Sequence, residues 1–234
     1  AGLLIKEKNI QINFYYSSLQ LRANNTLKII QKVLNDEKKF FRAWQLNERH
    51  YGALTGFNKL EMNEKIGEKK VYDFRRSWDI KPPALNEESP YHPINIEAYE
   101  DVPREVIPDT ESLKDTYERV TRYFEKEIKK KLVDKNILIS AHGNSIRALC
   151  KKLFNLDDKQ ISSLEIPTGN PLLIELSGNS KKIKCDCRCG GRGGRGRGGG
   201  VVPAAGGAAA TPAGAAGAAG AAAEAGGAGV SLNG

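Results

Sequence analysis

Ile137-Leu138-Ile139-Ser140-Ala141-His142-Gly143-Asn144 is the stretch on which the fold turns. Ile137 to Ser140 is a short apolar run of the kind buried on both faces of a parallel sheet. Ile146, Leu149, Cys150 and Leu153 then recur at i, i+3, i+4 and i+7, so the spacing predicts a strand that hands over to a helix, with His142-Gly143-Asn144 at the junction. An earlier segment repeats the pattern. Ile10 to Tyr16 alternates and is rich in β-branched and aromatic residues, Ser17 and Ser18 end it, and Leu21, Leu27, Ile30 and Val33 predict a helix with Arg22 at its entrance. Strand followed by helix is the α/β arrangement and predicts a mostly parallel sheet.

Further elements extend the same reading. Ala1 to Lys8 has the character of the last turns of a helix that starts without a capping residue. Phe40 to Leu46 predicts a second strand, followed by the polar turn Asn47-Glu48-Arg49-His50-Tyr51-Gly52. Between Gly52 and Pro108 the periodicity weakens among prolines, which predicts an irregular, partly helical insertion over the sheet edge. Ser112-Leu113-Lys114-Asp115 fits a capping box, and Leu113, Tyr117, Val120, Phe124 and Ile128 keep one apolar stripe for about four turns. Ile166 to Leu176 closes the body as a loop and a last strand.

Composition divides the chain in two. Of 234 residues, those from Cys185 onward hold 17 of the 24 Gly but 4 of the 36 Lys and Arg and 2 of the 28 Asp and Glu. That leaves the body, 1–184, with a net charge of 32 − 26 = +6. A tail of Gly, Ala and Arg without aromatics buries too little apolar surface to offset its backbone entropy, so 185–234 is expected to be disordered. No run approaches the roughly 18 apolar residues of a membrane span, and there is no secretory layout at the N-terminus. Four Cys without such a signal fit a reducing cytoplasm.

In open α/β sheets, ligands bind beyond the carboxyl ends of the strands. Arg22, the Glu48-Arg49-His50-Tyr51 turn and His142-Gly143-Asn144 all fall there. The helix after His142 offers free N–H groups and a partial positive charge, and Arg22, Arg49, Arg75 and Arg76 supply cations. Together they point to a small phosphorylated ligand. Taken singly, each has a plain structural reading: His142 as a hydrogen-bonded structural residue, Glu48 with Arg49 as a surface ion pair, Arg75-Arg76 as a solvated face, His92 as a loop residue and Cys150 as core packing.

Longer strings join these residues. Trp44 to Gly56 (WQLNERHYGALTG), Asn58-Lys59, Phe74 to Ile80 (FRRSWDI), Pro82-Pro83, Thr110 to Thr116 (TESLKDT), Ala141 to Leu149 (AHGNSIRAL) and Ile166 to Leu172 (IPTGNPL) resemble the cofactor-dependent phosphoglycerate mutases, in that family's order, across nearly all of residues 1–176. The resemblance implies a three-layer α/β/α fold of the histidine phosphatase type. It also implies interconversion of 3-phosphoglycerate and 2-phosphoglycerate through a phosphohistidine primed by 2,3-bisphosphoglycerate, without a metal. By that resemblance Arg22 clamps the transferring phosphoryl group, Glu48 is general acid and base, and His142 donates to the phosphoryl oxygens. Arg49, Tyr51, Lys59, Arg75, Arg76, Gly143 and Asn144 hold the carboxylate and phosphates. Phosphoryl transfer asks mainly for positioning and cations, which this set provides. A cytoplasmic homo-oligomer is implied for the complete protein.

The chain departs from the family at the nucleophile, which sits in an Arg-His-Gly motif that occurs nowhere in these residues. With Ala rather than Met in first place, this predicts that a strand-plus-helix unit of about 15 to 30 residues or more lies upstream. As written, the chain is then expected to lack a central strand, to expose unpaired edges and to be inactive. The tail's Gly-Arg repeats suggest an alternative, a catalytically dead body that binds RNA. Four Arg and no aromatic make nucleic acid an unfavoured partner, and the clustered Cys lack metal-site spacing. A phosphatase of the same fold is the other alternative.

Overall fold

The computed structural model describes residues 1–177, 180–184 and 228–233. Helix α1 (Gly2–Glu7) leads to strand β1 (Phe14–Ser17), helix α2 (Leu21–Leu34) and strand β2 (Phe40–Arg42). The insertion carries α3 (Lys59–Ile66), α4 (Glu68–Arg76) and four short 3-10 turns. Then follow α5 (Leu113–Tyr123), β3 (Asn136–Ala141), α6 (Gly143–Phe154), α7 (Asp158–Ser163), β4 (Leu172–Ser177), β5 (Ser180–Lys184) and β6 (Ala228–Asn233). The sheet order is β2-β1-β3-β6-β4-β5. β1 is parallel to both β2 and β3, and β4 to β6, while β3–β6 and β4–β5 are antiparallel. No helix among the described residues is long and apolar enough to cross a membrane.

Alternation along β3 builds the three layers. Ile137, Ile139 and Ala141 join Tyr16, Val120, Phe124, Ile146, Leu149 and Leu153 in the core under α5 and α6. Leu138 points the other way and packs with Ile5, Tyr15, Leu27 and Ile30 under α1 and α2. Each Ile, Leu, Val or Phe among them, fully buried, contributes about 1.5–3 kcal/mol. Ser140, on the same face as Leu138, donates to the Ala23 carbonyl at 2.9 Å and pins α2 to the sheet. Both long helices of the βα units stop at an Asn in the left-handed region, Asn35 (φ 53°) and Asn155 (φ 52°). Cys150 is core packing, as its apolar face suggests, and burial pushes its thiol up to about 12.

Several boundaries differ from the sequence reading. The first strand starts at Phe14 rather than Ile10, because polar groups just before it bond to side chains: Asn136 donates to the Gln11 carbonyl and Lys38 to that of Ile12. The second strand ends at Arg42, where its partner β1 runs out at Ser17, and Trp44–Leu46 turns as a 3-10 helix. Leu21 is 70% exposed. At roughly 100° per residue, its six-residue separation from Leu27 places it about 240° away from the buried stripe. The long helix keeps α geometry only to Tyr123 and continues as a π turn, Phe124–Ile128. Ser112 and Asp115 form the expected capping box.

The last described residues, 228–233, fall in the segment read from the sequence as a tail. They form β6, whose backbone pairs with β3 on one edge and β4 on the other. β3 and β4 are therefore both paired on the sides that face β6. The physical reason is the ladder: two strands with unpaired N–H and C=O groups are a template for any extended segment within reach, and Ala228-Gly229-Val230-Ser231-Leu232-Asn233 alternates suitably. The Gly-Arg and Cys cluster of the tail lies outside the described residues.

Candidate active site

The carboxyl ends of β1 and β3 deliver the first two groups. Ser18 follows β1 and His142 follows β3, and Ser18 Oγ lies 2.8 Å from His142 Nε2. From the first turn of α2, Arg22 Nε donates to His142 Nδ1 at 3.1 Å. Since Nδ1 accepts, the imidazole proton resides on Nε2 and is directed at Ser18. His142 is 1% exposed, and burial, followed by the charges of Arg22 and Arg119, pushes its pKa down to about 3. A neutral imidazole is the result, with its donor nitrogen fixed. His142 caps α6 by backbone only, so the first N–H groups of this 12-residue helix carry no side-chain cap. A Cβ at Gly143 would meet open space.

The Glu48-Arg49-His50-Tyr51 turn is stitched to the loop after β1. Asn47 Oδ1 accepts from the Leu19 N–H and Gln20 Oε1 from the Glu48 N–H. Glu48 Oε1 accepts from the Arg49 N–H and from Asn144 Nδ2, both at 2.8 Å. The same Asn144 amide donates to the Tyr51 hydroxyl at 2.9 Å. Glu48, Tyr51 and Asn144 thus form one unit, across more than 90 residues of chain.

Arg49 is the group whose needs are least met. It is 2% exposed, its Nη2 donates to the carbonyls of Phe74 and Arg75, and its Nε and Nη1 have no partner. Its guanidinium stacks 4.6 Å from the Tyr51 ring, and Arg75 covers that ring at 5.3 Å. A buried cation with two unused donors calls for an anion. Arg22, Glu48, Arg49 and Tyr51 line a cleft of about 340 Å³ together with Tyr91, Pro93 and Ile96.

The structure therefore gathers Arg22, Glu48, Arg49, Tyr51, Arg75, His142, Gly143 and Asn144 around the strand tips. Arg76 stands at the edge of this group, 3.0 Å from Glu165. Lys59 is exposed in the first turn of α3, outside the cluster.

Other residues belong to the site without having been singled out in the sequence. Arg119, on α5, donates through Nη1 to the Gln45 carbonyl and through Nη2 to those of Asn47 and Glu48, while Nε meets Glu111 at 2.6 Å. Glu111 Oε2 accepts in turn from the His50 N–H. Burial disfavours the Arg119 charge, but the Glu111 carboxylate outweighs this and holds the guanidinium above its ordinary value. Arg147 donates to Asn144 Oδ1 and to the Leu164 carbonyl. Periodicity could have flagged Arg119 only through its place beside Val120 on the buried stripe. His92, read as a loop residue, is fully buried and bonded to Asp109 at 3.1 Å.

The family model described as histidine phosphatase superfamily (branch 1) matches residues 4–95 and 84–186. A 2,3-bisphosphoglycerate-dependent phosphoglycerate mutase of Pelagibacter ubique is 64% identical over 186 residues, 79% of this chain and 78% of that one. Proteins of the same name from Borreliella afzelii and Xylella fastidiosa are each 46% identical, covering 79% and 76% of this chain and 75% and 72% of their own. Among solved structures, Bacillus stearothermophilus YhfR superposes with a TM-score of 0.53 at 14% identity, over 79% of this chain and 77% of its own. The alpha-ribazole phosphatase of Shigella flexneri does so with 0.52 at 13%, over 76% and 74%. At such identities the structural matches speak to the fold alone, whereas the sequence relatives go further: the chain belongs to the histidine phosphatase superfamily, in its phosphoglycerate mutase family.

Proposed function

We propose that this chain is a 2,3-bisphosphoglycerate-dependent phosphoglycerate mutase, an isomerase interconverting 3-phosphoglycerate and 2-phosphoglycerate in glycolysis and gluconeogenesis. The observation that carries the reading is Arg49, a buried guanidinium with unpaired Nε and Nη1 beside Arg22 in one cleft. Its relatives' shared name agrees. A cytoplasmic location and a homo-oligomeric state belong to the same proposal.

In this reading Arg49, stacked on the Tyr51 ring that Arg75 also covers, binds the carboxylate or a phosphate of the substrate, and Arg22 takes the transferring phosphoryl group. Glu48 accepts and returns the proton of the substrate hydroxyl. Asn144 and the Arg49 N–H both occupy Oε1, and among the described residues nothing donates to Oε2, so Oε2 is the oxygen available for that proton. His142 stays neutral and offers its Nε2 proton, which points at Ser18 Oγ in the free protein, to phosphoryl oxygens as charge shifts. The uncapped start of α6 adds backbone donors. Arg76, at the edge of the group, extends the set of cations around the substrate, whereas Lys59 stands outside it on α3.

2,3-Bisphosphoglycerate, which carries a carboxylate and two phosphates, fits a cleft lined by Arg22 and by Arg49, whose Nε and Nη1 are unused. When bound it supplies the priming phosphoryl group. The acceptor imidazole belongs to the family's Arg-His-Gly motif. The three histidines of this chain are engaged otherwise: His142 through both ring nitrogens, His92 between Asp109 and the Ile94 N–H, and His50 accepting at Nδ1 from the Gly52 N–H.

Calorimetric titration of the full chain with 3-phosphoglycerate and with 2,3-bisphosphoglycerate tests the reading. Saturable binding of both, abolished by Arg49→Gln, is expected. If neither binds better than sulfate at equal ionic strength, the reading fails. Hydrolysis of unrelated phosphoesters without mutase turnover would instead favour a phosphatase.

A further inference from the structure

Glu165 lies in the segment between α7 and β4, which has neither helix nor strand geometry from Leu164 to Pro171. Its side chain is 72% exposed, yet it spans two arginines: Oε1 is 3.0 Å from Arg76 Nη2 and Oε2 is 3.9 Å from Arg147 Nη2. The two cations come from different elements, the last residue of α4 and the second turn of α6. Arg147 is the more enclosed, with 13% of its side chain exposed. It reaches the acid–base unit directly, since Asn144 accepts from Arg147 Nη1 and donates to Glu48 and Tyr51.

Two like charges drawn together on one carboxylate repel one another. Burial, and then the nearby Arg76 charge, hold the Arg147 guanidinium below its ordinary value, and Glu165 acts in the opposite sense. A single carboxylate spread between two guanidinium groups from separate elements is the arrangement that a bound carboxylate ligand would make, here supplied by the chain itself. The exposure of Glu165 makes the arrangement reversible, because ion pairs in contact with water are weak and screened.

We infer that Glu165 is an internal stand-in for the anionic substrate, occupying Arg76 and Arg147 in the free protein and competing with the substrate for them, so that Glu165 sets the anion affinity of the site. The inference rests on the phosphoglycerate reading for the role of Arg76, and it adds Arg147 to the residues that face the substrate's negative charge. An internal competitor lowers apparent affinity by the fraction of molecules in which it is in place. Removing it should therefore tighten binding, the opposite of what removing a structural clip would do.

The test compares the full chain with Glu165→Gln by calorimetric titration at low salt, using 3-phosphoglycerate and, separately, malonate, a plain dicarboxylate that reports on the two cations whatever the enzyme's true substrate. Glu165→Gln is expected to bind both about two- to five-fold more tightly, with a melting temperature close to that of the parent and a steeper loss of affinity on adding salt. Glu165→Gln combined with Arg147→Gln should return malonate to the parent affinity. Tighter malonate binding in a protein that ignores 3-phosphoglycerate upholds the competition and removes the phosphoglycerate reading. Malonate affinity that is unchanged or weaker in Glu165→Gln, alongside ordinary 3-phosphoglycerate binding, overturns the competition and leaves the mutase reading in place. A lowered melting temperature with unchanged affinity for both ligands overturns it too, and makes Glu165 a loop anchor only.

Discussion

Arg119 Nη2 donates to the main-chain carbonyl of Glu48 across 3.2 Å, joining positions 71 residues apart. The guanidinium does not use its charge on the Glu48 carboxylate by direct contact. It fixes the backbone from which that carboxylate projects, and Glu111 neutralises it from behind at 2.6 Å.

Replacing one partner of such a buried pair leaves an uncompensated charge. Arg119→Met is expected to lower stability by about 3–5 kcal/mol, and Arg119→Met with Glu111→Leu by clearly less. Urea unfolding of the two variants and the parent measures this. Equal losses for the single and double variants would show that the pair is not coupled.

The His142 environment sets a pH dependence. Its folded pKa, about 3, lies below the roughly 6.5 of an unfolded imidazole. The unfolded chain therefore takes up a proton that the folded chain refuses as pH falls through about 6.5. Stability from this group is complete above that value and declines toward about pH 3, by at most about 1.4 kcal/mol per pH unit. His50, whose pKa burial also lowers, acts in the same direction. Melting temperatures should fall as pH is lowered from 7 to 5, and the slope should flatten in His142→Gln.

At Arg49, charge alone should not suffice. Lys keeps the charge but loses the fork that spans the carbonyls of Phe74 and Arg75 while presenting Nε and Nη1. Arg49→Lys is expected to weaken 3-phosphoglycerate binding by about ten- to a hundred-fold, the worth of hydrogen bonds to a charged group. Calorimetry reads the change, and parental affinity would remove Arg49 from the anion site.

Gly52 ends the Glu48-Tyr51 turn with φ of 53°, and a Cβ there would run into the Pro83 carbonyl oxygen and Thr110 Oγ1. Backbone cannot yield as a flexible side chain can. Gly52→Ala should cost about 2–4 kcal/mol and disturb Tyr51, its neighbour in the cleft. Thermal unfolding checks the first effect and phosphoglycerate titration the second.

Deletion of residues 228–234 removes β6 and leaves the facing edges of β3 and β4 without ladder partners. The shortened chain should unfold at lower temperature and self-associate through those edges. Differential scanning calorimetry and light scattering follow the two consequences, and an unchanged melting temperature would show that β6 adds no stability.

Much of this architecture is legible in the chain. The apolar run Ile137 to Ser140 and the stripe from Ile146 to Leu153 are local patterns, set by the two-residue and 3.6-residue periods, and both elements occur where they predict. The placement of Arg22, Glu48, Arg49 and His142 at strand tips follows from the same alternation. Leu21 misleads because an apolar residue at the wrong angle still reads as apolar, and the strand after Phe40 ends early because its length depends on how far β1 accompanies it.

What the sequence by itself determined is the succession β1, α2, β2, α5, β3 and α6, the family, and the chemical types gathered at the sheet's carboxyl edge, since each is written in neighbouring residues. Only the tertiary structure decided that His142 is neutral with its proton on Nε2, that Arg49 keeps two donors unused, that Glu111 and Arg119 brace the Glu48 turn, and that β6 enters between β3 and β4. Those outcomes depend on desolvation and on partners from distant parts of the chain, such as Ser18 and His142, 124 residues apart, and no local pattern encodes either.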